Sequence, residues 1–470
     1  MRIGFLHQYG LDSSGSGYYA SRVCERFLAD GHEVHLMCHE RRRTTLPLDC
    51  GLTRWTGSDF EVLWEPEGSN LWVHRMPPDL TAVAYPRADA PGSPLFIDLD
   101  DDALEYYVEQ HAAAATALAL RFDLDVLHAN HEVPMSEIAR RASERTGVPY
   151  VVCGHGSTLE YVERLDTRYH DLAATGLGGA ASVIAITDEL RDRMVVVQPS
   201  VADRVKMVPV GVDVKRFHPL PLEGRMARRL AFVGRLSLDK GAHLLIAALP
   251  LLFAEFPDLQ VDIVGDGDDA ESIQRFTNLL ADGELCQALR EVIKLAGDER
   301  ASWTWPLIHF WTSIDREAYL ASADRLETNV TFHGRNNHEQ LSGLLPQVDL
   351  VIVPSLVREG FPLVCLEALA CGVPFVALKR GGLAAVVADI SGPLGDIGPM
   401  IGVDDADQVV VAQLAEQIGS AMDLLRTPGA HEEIQLRCRR LVLERYDWAQ
   451  VARSLVSIYE AAALMRFQAA

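Results

Sequence analysis

The sequence is poor in basic residues, and this scarcity limits the partners that it can bind. Lysine and arginine together number 43, against 66 aspartates and glutamates, which gives a formal net charge of −23. A nucleic-acid binder needs a basic face, and a polybasic membrane anchor needs the same surplus. The composition therefore excludes both classes, and the acidity itself mainly favours solubility.

Paired cysteines, a leader-like segment and long apolar runs are also lacking. The eight cysteines are scattered and none forms a CxxC pair, which argues against a zinc site or a disulfide framework and favours a reducing compartment. The first residues, MRIGFLHQYG, lead directly into a strand-like segment rather than a signal peptide. No apolar run approaches the length of a membrane span. We therefore expect a cytoplasmic protein without an integral membrane segment.

Short apolar runs alternate with helical stretches along the 470 residues, a length that favours two domains. Fully apolar strands separated by helices are typical of parallel sheets that are covered on both faces. The pattern therefore predicts an α/β fold. The predicted strands are 3–6, 34–37, 71–75, 126–128, 150–153 and 182–186 in the first half, and 230–233, 261–264, 330–333, 350–353 and 375–377 in the second.

Residues 218–229, HPLPLEGRMARR, break this rhythm because they are rich in proline and arginine and have no clear period. We interpret them as the start of a second domain, with a first domain over 1–217 and a second over 218–444. The tail 445–470 contains one amphipathic helix, and 268–328 is a mostly helical insertion. The aromatic residues of this insertion are Trp303, Trp305, Phe310 and Trp311.

The segment VDLVIVPSLVREGFPLVCLEALACGVPFVAL, residues 348–378, carries the strongest functional signal. An apolar strand ends at Pro354, and EGFP at 359–362 opens a helix that Gly372 and Pro374 terminate. Free amides at the helix start, together with the positive end of the helix dipole, form a site for an anion such as a diphosphate. The residues of this helix start are Gly360, Phe361, Pro362, Leu363 and Val364.

Two carboxylates bracket this anion site. Glu359 precedes it, and Glu367 lies about 7–8 Å farther along the helix axis. One carboxylate can therefore meet the sugar of a nucleotide sugar while the other meets its ribose. The pattern E-x7-E, in the setting EGFPLVCLEALACGVPFVA, closely resembles the retaining glycosyltransferase family 4, which has the GT-B fold.

This resemblance implies a fold and a set of roles. GT-B proteins have two Rossmann-like domains whose parallel sheets face a central cleft, with the acceptor on the first domain, the nucleotide sugar on the second, and a C-terminal helix that returns to the first. In the family the first glutamate, here Glu359, contacts the donor sugar, and the second, here Glu367, contacts the ribose.

Other segments add candidate site residues. LAFVGRLSLDKG, residues 230–241, places two cations after a buried strand, where they can neutralise a departing diphosphate, and the family carries GR-x4-KG there. A lone histidine after a strand is more often structural, but the family often has one near the donor sugar or the acceptor. These two observations give the catalytic candidates Arg235, Lys240 and His155 beside Glu359. The resemblance also implies donor contacts from Gly15, Ser16, Gly17, Gly265, Asp266, Gly334 and Arg335, and an acceptor contact from His131.

Two charged runs have competing interpretations. Arg41, Arg42 and Arg43 are most simply a solvated patch, or they contact a phosphate or carboxylate on the acceptor. DLDDD at 98–102 is similar to the Asp-x-Asp that holds metal in another glycosyltransferase architecture, but its position before a helix favours a solvated cap.

We therefore predict transfer of a hexosyl unit, with retention, from a nucleoside diphosphate sugar to a small-molecule, glycan or lipid-linked acceptor. UDP- and GDP-sugars are the first donors to consider, and we expect neither a metal nor a tightly bound cofactor. The alternatives are a sugar-nucleotide epimerase on the same fold and a non-catalytic nucleotide-sugar binder. A nicotinamide oxidoreductase ranks lower because residues 7–23 do not complete G-x-G-x-x-G. The sequence leaves the sugar, the base, the acceptor and homo-oligomerisation open.

Overall fold

The computed structural model describes residues 1–11, 15–42, 46–86, 90–222, 224–297, 301–404 and 409–468. The chain forms two compact units. The first contains Met1–Gly211 and Trp448–Ala470, and the second contains Val212–Asp447.

The first unit contains a nine-stranded sheet with the order β4-β3-β5-β2-β1-β6-β7-β8-β9. Its central strands are buried and mostly apolar, as expected for a sheet that is covered on both faces. Among the described residues, β3 and β4 form the one antiparallel pair of this sheet. The strands are β1 (Arg2–His7), β2 (Glu33–Cys38), β3 (Gly51–Trp55), β4 (Phe60–Trp64), β5 (Leu71–Arg75), β6 (Val126–Asn130), β7 (Tyr150–Cys153), β8 (Ser182–Ala185) and β9 (Val205–Met207).

The second unit contains a six-stranded sheet with the order β12-β11-β10-β13-β14-β15, in which every neighbouring pair is parallel. The carboxyl ends of its strands therefore lie at one edge, where ligands bind in open α/β sheets. The strands are β10 (Arg229–Val233), β11 (Gln260–Val264), β12 (Val330–Gly334), β13 (Leu350–Val353), β14 (Phe375–Leu378) and β15 (Gly402–Val403).

Helices connect the strands of both sheets. In the first unit they are α1 (Gly15–Ala29), α2 (Asp101–Arg121), α3 (Met135–Thr146), α4 (Thr167–Gly178), α5 (Asp188–Val197) and, at the end of the chain, α17 (Trp448–Gln468). In the second unit they are α6 (Ala242–Glu255), α7 (Ala270–Ala281), α8 (Leu285–Ala296), α9 (Trp305–Ser313), α10 (Arg316–Leu320), α11 (Arg325–Asn329), α12 (His338–Leu344), α13 (Leu363–Ala370), α14 (Gly382–Leu394), α15 (Val410–Arg426) and α16 (Ala430–Arg445). Within the part of the chain that the structure describes, none of these helices combines the length and the apolar character that a membrane crossing requires.

The predicted α/β fold with parallel sheets is confirmed, and every strand predicted from an apolar run is present. The hairpin of β3 and β4 was not predicted because charged residues interrupt its short apolar stretches at the edge of the sheet. Its Arg54 and Glu61 side chains form an exposed ion pair. Such a pattern lacks the continuous apolar run that marks a buried parallel strand.

The border between the two units lies at Gly211 and Val212, earlier in the chain than the proline- and arginine-rich segment suggests. Residues 218–229 belong to the second unit because side chains anchor them there. The Arg225 guanidinium is bonded to the carboxylate of buried Asp349 (2.6 Å), and that carboxylate also accepts the Arg228 amide (2.7 Å).

Residues 268–328 contain α7 to α11, and some of their aromatic side chains form a small core, whereas Trp305 is exposed. Phe310 and Trp311 are buried, and the rings of Phe276 and Trp311 lie 5.9 Å apart. The Tyr319 hydroxyl donates to the Ala247 carbonyl in α6 (2.8 Å). These contacts attach the insertion to the helical layer of the second unit.

The terminal helix α17 packs into the first unit. The Tyr459 hydroxyl is hydrogen-bonded to His128 Nδ1 in β6 (2.6 Å), and its ring lies 5.6 Å from that of Phe27 in α1. The Trp448 ring lies against Gly211, where an added Cβ would come within 2.5 Å of it. The first unit is therefore completed by a helix that is remote in sequence.

Candidate active site

Three loops of the second unit meet at the carboxyl ends of β10, β11 and β13, and glycines permit their close approach. A Cβ on Gly241 would lie 1.9 Å from the Pro354 carbonyl oxygen, and one on Gly265 would lie 1.8 Å from that of Gly234. Both glycines also have positive φ angles, a conformation that is unfavourable for residues with a Cβ atom. The loops 234–241, 265–267 and 354–360 therefore form one continuous surface.

This surface holds the predicted catalytic residues Lys240 and Glu359 in contact. The Lys240 ammonium forms an ion pair with Glu359 Oε1, which also accepts the Ser355 hydroxyl (2.9 Å). Burial lowers the pKa of Lys240, but the carboxylates of Glu359 and Asp239 outweigh this effect and raise it. The lysine is therefore a fixed cation, held by a carboxylate that is itself held by a buried serine.

The predicted partner cation, Arg235, is positioned by neighbours in its own loop. Its guanidinium forms an ion pair with Asp239 (2.9 Å), and its Nε donates to the Ser237 hydroxyl (3.1 Å). Ser237 in turn is hydrogen-bonded to Asp239, which is almost fully buried. Since the Arg235 side chain is 43% exposed, its charge remains available to a ligand at the surface.

Helix α13 begins at Leu363, later than predicted, with Pro362 as its N-cap in an extended conformation. Gly360 and Phe361 therefore lie in the preceding loop rather than in the helix start. That loop is fixed because Gly382 donates its amide to the Glu359 carbonyl (2.8 Å). In the part of the chain that the structure describes, no side-chain hydrogen bond caps α13. The amides of its first turn, at Leu363 and Val364, fit an anion site.

The second glutamate of the motif lies within α13 and is nearly buried. Glu367 Oε1 is 3.3 Å from His338 Nε2, at the start of α12. On the neighbouring strand ends, the Gly334 carbonyl accepts the Gly265 amide (2.8 Å), which joins β11 to β12.

The remaining donor candidates of the second unit follow these strand ends. The Asp266 carboxylate accepts a hydrogen bond from the Gly267 amide (2.8 Å), and the Asp266 carbonyl accepts one from the Leu236 amide (3.0 Å). Asp266 therefore shapes the loop beside Arg235. Arg335 is exposed after β12. The family motif thus falls on a single edge of the second sheet.

In the first unit, the predicted glycine- and serine-rich turn begins α1. Gly15, Ser16 and Gly17 are the first residues of this helix, whereas residues 12–14 lie outside the described part of the chain. A Cβ on Gly17 would come within 2.4 Å of the Gly10 carbonyl oxygen, so only glycine permits the helix to start against the end of β1.

His155 and His131 lie near this turn. His155 follows β7, its ring lies 5.0 Å from that of His131 and 4.8 Å from that of Tyr19, and burial lowers the pKa of His155 to about 3. His131 is buried and has a φ of 138°, which is rare for a residue with a side chain and is characteristic of functional sites. The structure therefore brings both predicted histidines together.

Two functional candidates in this region were missed at the sequence level. Asn130 joins His155 to His7, with Oδ1 2.7 Å from His155 Nε2 and Nδ2 2.9 Å from His7 Nδ1. Glu132 is buried and accepts the Gly156 amide (2.6 Å) and the Thr158 hydroxyl (2.7 Å), while burial raises its pKa. Their position beside histidines after an apolar strand was the only signal in the sequence.

The arginine run is partly described. Arg41 is exposed, and its guanidinium donates to the Thr81 hydroxyl (3.2 Å). Arg42 is also exposed, and its backbone amide donates to the carboxylate of the buried Glu40 (2.8 Å). Arg43 lies outside the described residues.

The acidic run at 98–102 caps a helix, as the sequence favoured. Asp100 is the N-cap of α2 and accepts the Ala103 amide (2.8 Å). Among the described residues, no group of three or more histidine, cysteine, aspartate or glutamate side chains has a metal-binding arrangement.

Comparison with known proteins places these features in one family. Residues 14–211 match the model of the glycosyl transferase 4-like domain, and residues 312–398 match that of glycosyl transferases group 1. The phosphatidyl-myo-inositol mannosyltransferase of Mycolicibacterium smegmatis is 28% identical over 352 residues, which cover 72% of this chain and 71% of the relative. The D-inositol 3-phosphate glycosyltransferase of Acidothermus cellulolyticus is 26% identical and covers 77% and 74%.

Solved structures share the fold over almost the whole chain. The sucrose-phosphate synthase of Thermosynechococcus elongatus has a TM-score of 0.63 at 19% identity, with 100% of both chains covered. HepE of Anabaena in complex with UDP has a TM-score of 0.62 at 18% identity and covers 98% of this chain and 100% of its own. From the motif, the two matched models and this fold together, we conclude that the chain belongs to glycosyltransferase family 4 and has the GT-B fold.

Proposed function

We propose that this glycosyltransferase moves a hexosyl unit from a nucleoside diphosphate sugar to an acceptor hydroxyl and retains the anomeric configuration. We assign nucleotide-sugar binding to the second unit and acceptor binding to the first. The observation that carries the proposal is the Lys240–Glu359 ion pair on the loop that leads into the first turn of α13.

A diphosphate fits this place because its charge can replace the carboxylates that now neutralise the cations. Arg235 and Lys240 are paired with Asp239 and Glu359, respectively. Both cations are therefore oriented before a ligand binds, and they need little reorganisation to stabilise charge that develops on a leaving diphosphate. The backbone amides in the first turn of α13 add positive partial charge at the same place.

Retention of the anomeric configuration requires either a covalent intermediate or attack on the same face of the sugar from which the leaving group departs. Glu359 is poorly suited as a nucleophile because Oε1 is engaged by both Lys240 and Ser355. We therefore favour front-face attack through an oxocarbenium-like transition state, in which an oxygen of the leaving diphosphate accepts the proton of the attacking hydroxyl. Glu359 then serves the donor sugar as a hydrogen-bond acceptor.

Related proteins suggest which substrates to test first. HepE was solved with UDP and with UDP-glucose, so UDP-hexoses are the first donors and GDP-hexoses the second. Two relatives are named for acceptors that carry a phosphate on inositol. The exposed Arg41 and Arg42 of the first unit fit a phosphate on such an acceptor. We accordingly propose a phosphorylated polyol as the acceptor class.

The test is a matrix of UDP-, GDP- and ADP-hexoses against inositol phosphates, hexose phosphates and their unphosphorylated forms. We expect nucleoside diphosphate release that depends on a phosphorylated acceptor, and a product with the same anomeric configuration as the donor, assigned by NMR. Donor consumption without acceptor and without a new glycoside would indicate an epimerase. Thermal stabilisation by a donor without turnover on any acceptor would indicate a binding protein, and an inverted product would overturn the retaining mechanism.

A further inference from the structure

A hydrogen-bonded chain of three side chains crosses the carboxyl ends of three adjacent strands in the first unit. His7 ends β1, Asn130 ends β6, and His155 follows β7. The sheet register pairs His7 with Asn130 and Asn130 with Cys153. The fully buried Asn130 therefore stands between the two histidines, at 2.7 Å from His155 Nε2 and 2.9 Å from His7 Nδ1.

The direction of each hydrogen bond follows from the chemistry of the amide. Asn130 Nδ2 also lies 3.4 Å from the Ser16 carbonyl oxygen, which can only accept, so the amide nitrogen faces His7 and Ser16. Oδ1 then faces His155 and can only accept. Consequently His155 carries its hydrogen on Nε2, while Nδ1 of His7 presents a lone pair to the amide.

The surroundings of His155 keep its ring neutral. Burial lowers its pKa to about 3. Among the described residues, the titratable rings beside it are those of Tyr19 from α1 and His131 from the loop after β6. His128 of β6 interacts with it as well, because burial and the charge of His155 lower the pKa of His128 to about 3. The nearby carboxylate of Glu132 is engaged by the amide and hydroxyl of residues 156 and 158. A neutral ring with its hydrogen on Nε2 leaves Nδ1 as a hydrogen-bond acceptor.

We propose that Asn130 is a positioning residue that holds His155 as the neutral Nε2–H tautomer, so that His155 Nδ1 accepts a hydroxyl group of the carbohydrate. The hydroxyl belongs either to the hexosyl donor or to the polyol acceptor. This inference rests on the proposed function for the nature of its ligand, whereas the tautomer itself is a property of the protein without substrate.

The decisive variant is Asn130→Asp, which preserves size but replaces the amide by a carboxylate. A carboxylate beside His155 favours the imidazolium form of the ring. His155 Nδ1 then carries a hydrogen and donates instead of accepting. We expect kcat/KM at pH 7 to fall by about 10- to 100-fold, the size of one to two lost hydrogen bonds. Because the variant His155 has a raised pKa, the defect relative to the wild type should shrink as the pH rises above that pKa.

The ring nitrogens are observed directly by ¹⁵N NMR, with His155 assigned by the loss of its signals in His155→Gln. We expect the Nε2–H tautomer in the wild type and imidazolium signals in Asn130→Asp. His111 is the internal reference, because its Nδ1 is bonded to the Tyr107 carbonyl (2.7 Å) and its signals should not change. A wild-type Nδ1–H tautomer would overturn the proposal even if the variant did not fold.

Kinetics then identify the source of the hydroxyl. A rise confined to the donor KM would place the donor sugar on His155, and a rise confined to the acceptor KM would place the acceptor there. Unchanged kinetics alongside an imidazolium spectrum would refute the positioning role. If no substrate pair is turned over, the proposed function fails while the tautomer result stands on its own.

Discussion

Among the single residues of the candidate site, Lys240 offers the most direct test of the proposed chemistry. Lys240→Ala removes the cation and leaves Glu359 with the Ser355 hydroxyl but without its counter-ion. We expect kcat at saturating donor to fall by about 10²–10³-fold, the size of one lost electrostatic contact in a transition state. The measurement is the steady-state rate of nucleoside diphosphate release.

Lys294→Ala is the matched control for this substitution, because Lys294 is exposed on α8 and far along the chain from the motif. It should retain wild-type turnover. If Lys240→Ala also turned over at a near-normal rate with saturating donor, its ammonium would have no part in stabilising the leaving group.

Candidate residues that belong to a local motif could be identified from the sequence. Arg235, Lys240 and Glu359 are recognisable because the spacing within each loop suggests the chemistry, and the structure places all three in the second unit. Asn130 was not accessible, because its partner His7 lies 123 residues away and meets it only through the register of β1 and β6. No local pattern encodes that register.

At the element scale, the loop before α13 depends on the start of α14. A Cβ on Gly382 would come within 2.1 Å of the Gly360 carbonyl oxygen and 2.4 Å of the Glu359 carbonyl oxygen. Both contacts are to backbone, so Gly382→Ala must displace the loop that carries Glu359. We expect a loss of activity of at least about tenfold, because small misplacements of a catalytic group are costly, together with a lower melting temperature.

Gly392→Ala is the control in the same helix, where an added Cβ meets nothing within 4 Å. Gly392 precedes Pro393, and the restriction on residues before proline offsets the better helix propensity of alanine. This variant should therefore be fully active, with a melting temperature close to that of the wild type. Equal activity of both variants, measured with unfolding curves on the same samples, would contradict the dependence of the loop on α14.

The same contact explains why the start of α13 was predicted too early. Proline, glycine and an acidic residue before an apolar run are ordinary signals of a helix start. In the fold, the carbonyl of Glu359 is taken by the Gly382 amide, and Pro362 remains extended. A bond from a later helix therefore decides where α13 begins, and helix-start signals alone cannot reveal it.

At the scale of the whole molecule, the two units differ in how the chain builds them. The second unit is one continuous segment, Val212–Asp447, whereas the first needs Trp448–Ala470 in addition to Met1–Gly211. Hydrophobic periodicity predicted α17 as a helix. Its place in the first unit came from the family resemblance, since an amphipathic pattern shows which face is buried but not against what.

This asymmetry predicts how fragments of the chain behave. The segment 212–447 should fold alone, whereas 1–211 should lack cooperative unfolding because the surface that receives Tyr459, around His128 and Phe27, is uncovered. Fusing 448–468 to 1–211 through a flexible linker should restore a cooperative transition, since burial of large side chains contributes about 1.5–3 kcal/mol each. Circular dichroism during thermal unfolding measures the cooperativity of the transition for each fragment.

The control for the fragments is the fusion that carries Tyr459→Asp, which places a charge among the apolar groups that α17 covers. This fusion should behave like 1–211 alone, because a buried charge without a partner costs more than the helix contributes. Cooperative unfolding of 1–211 without α17 would show that the terminal helix is an accessory to the first sheet rather than part of its core.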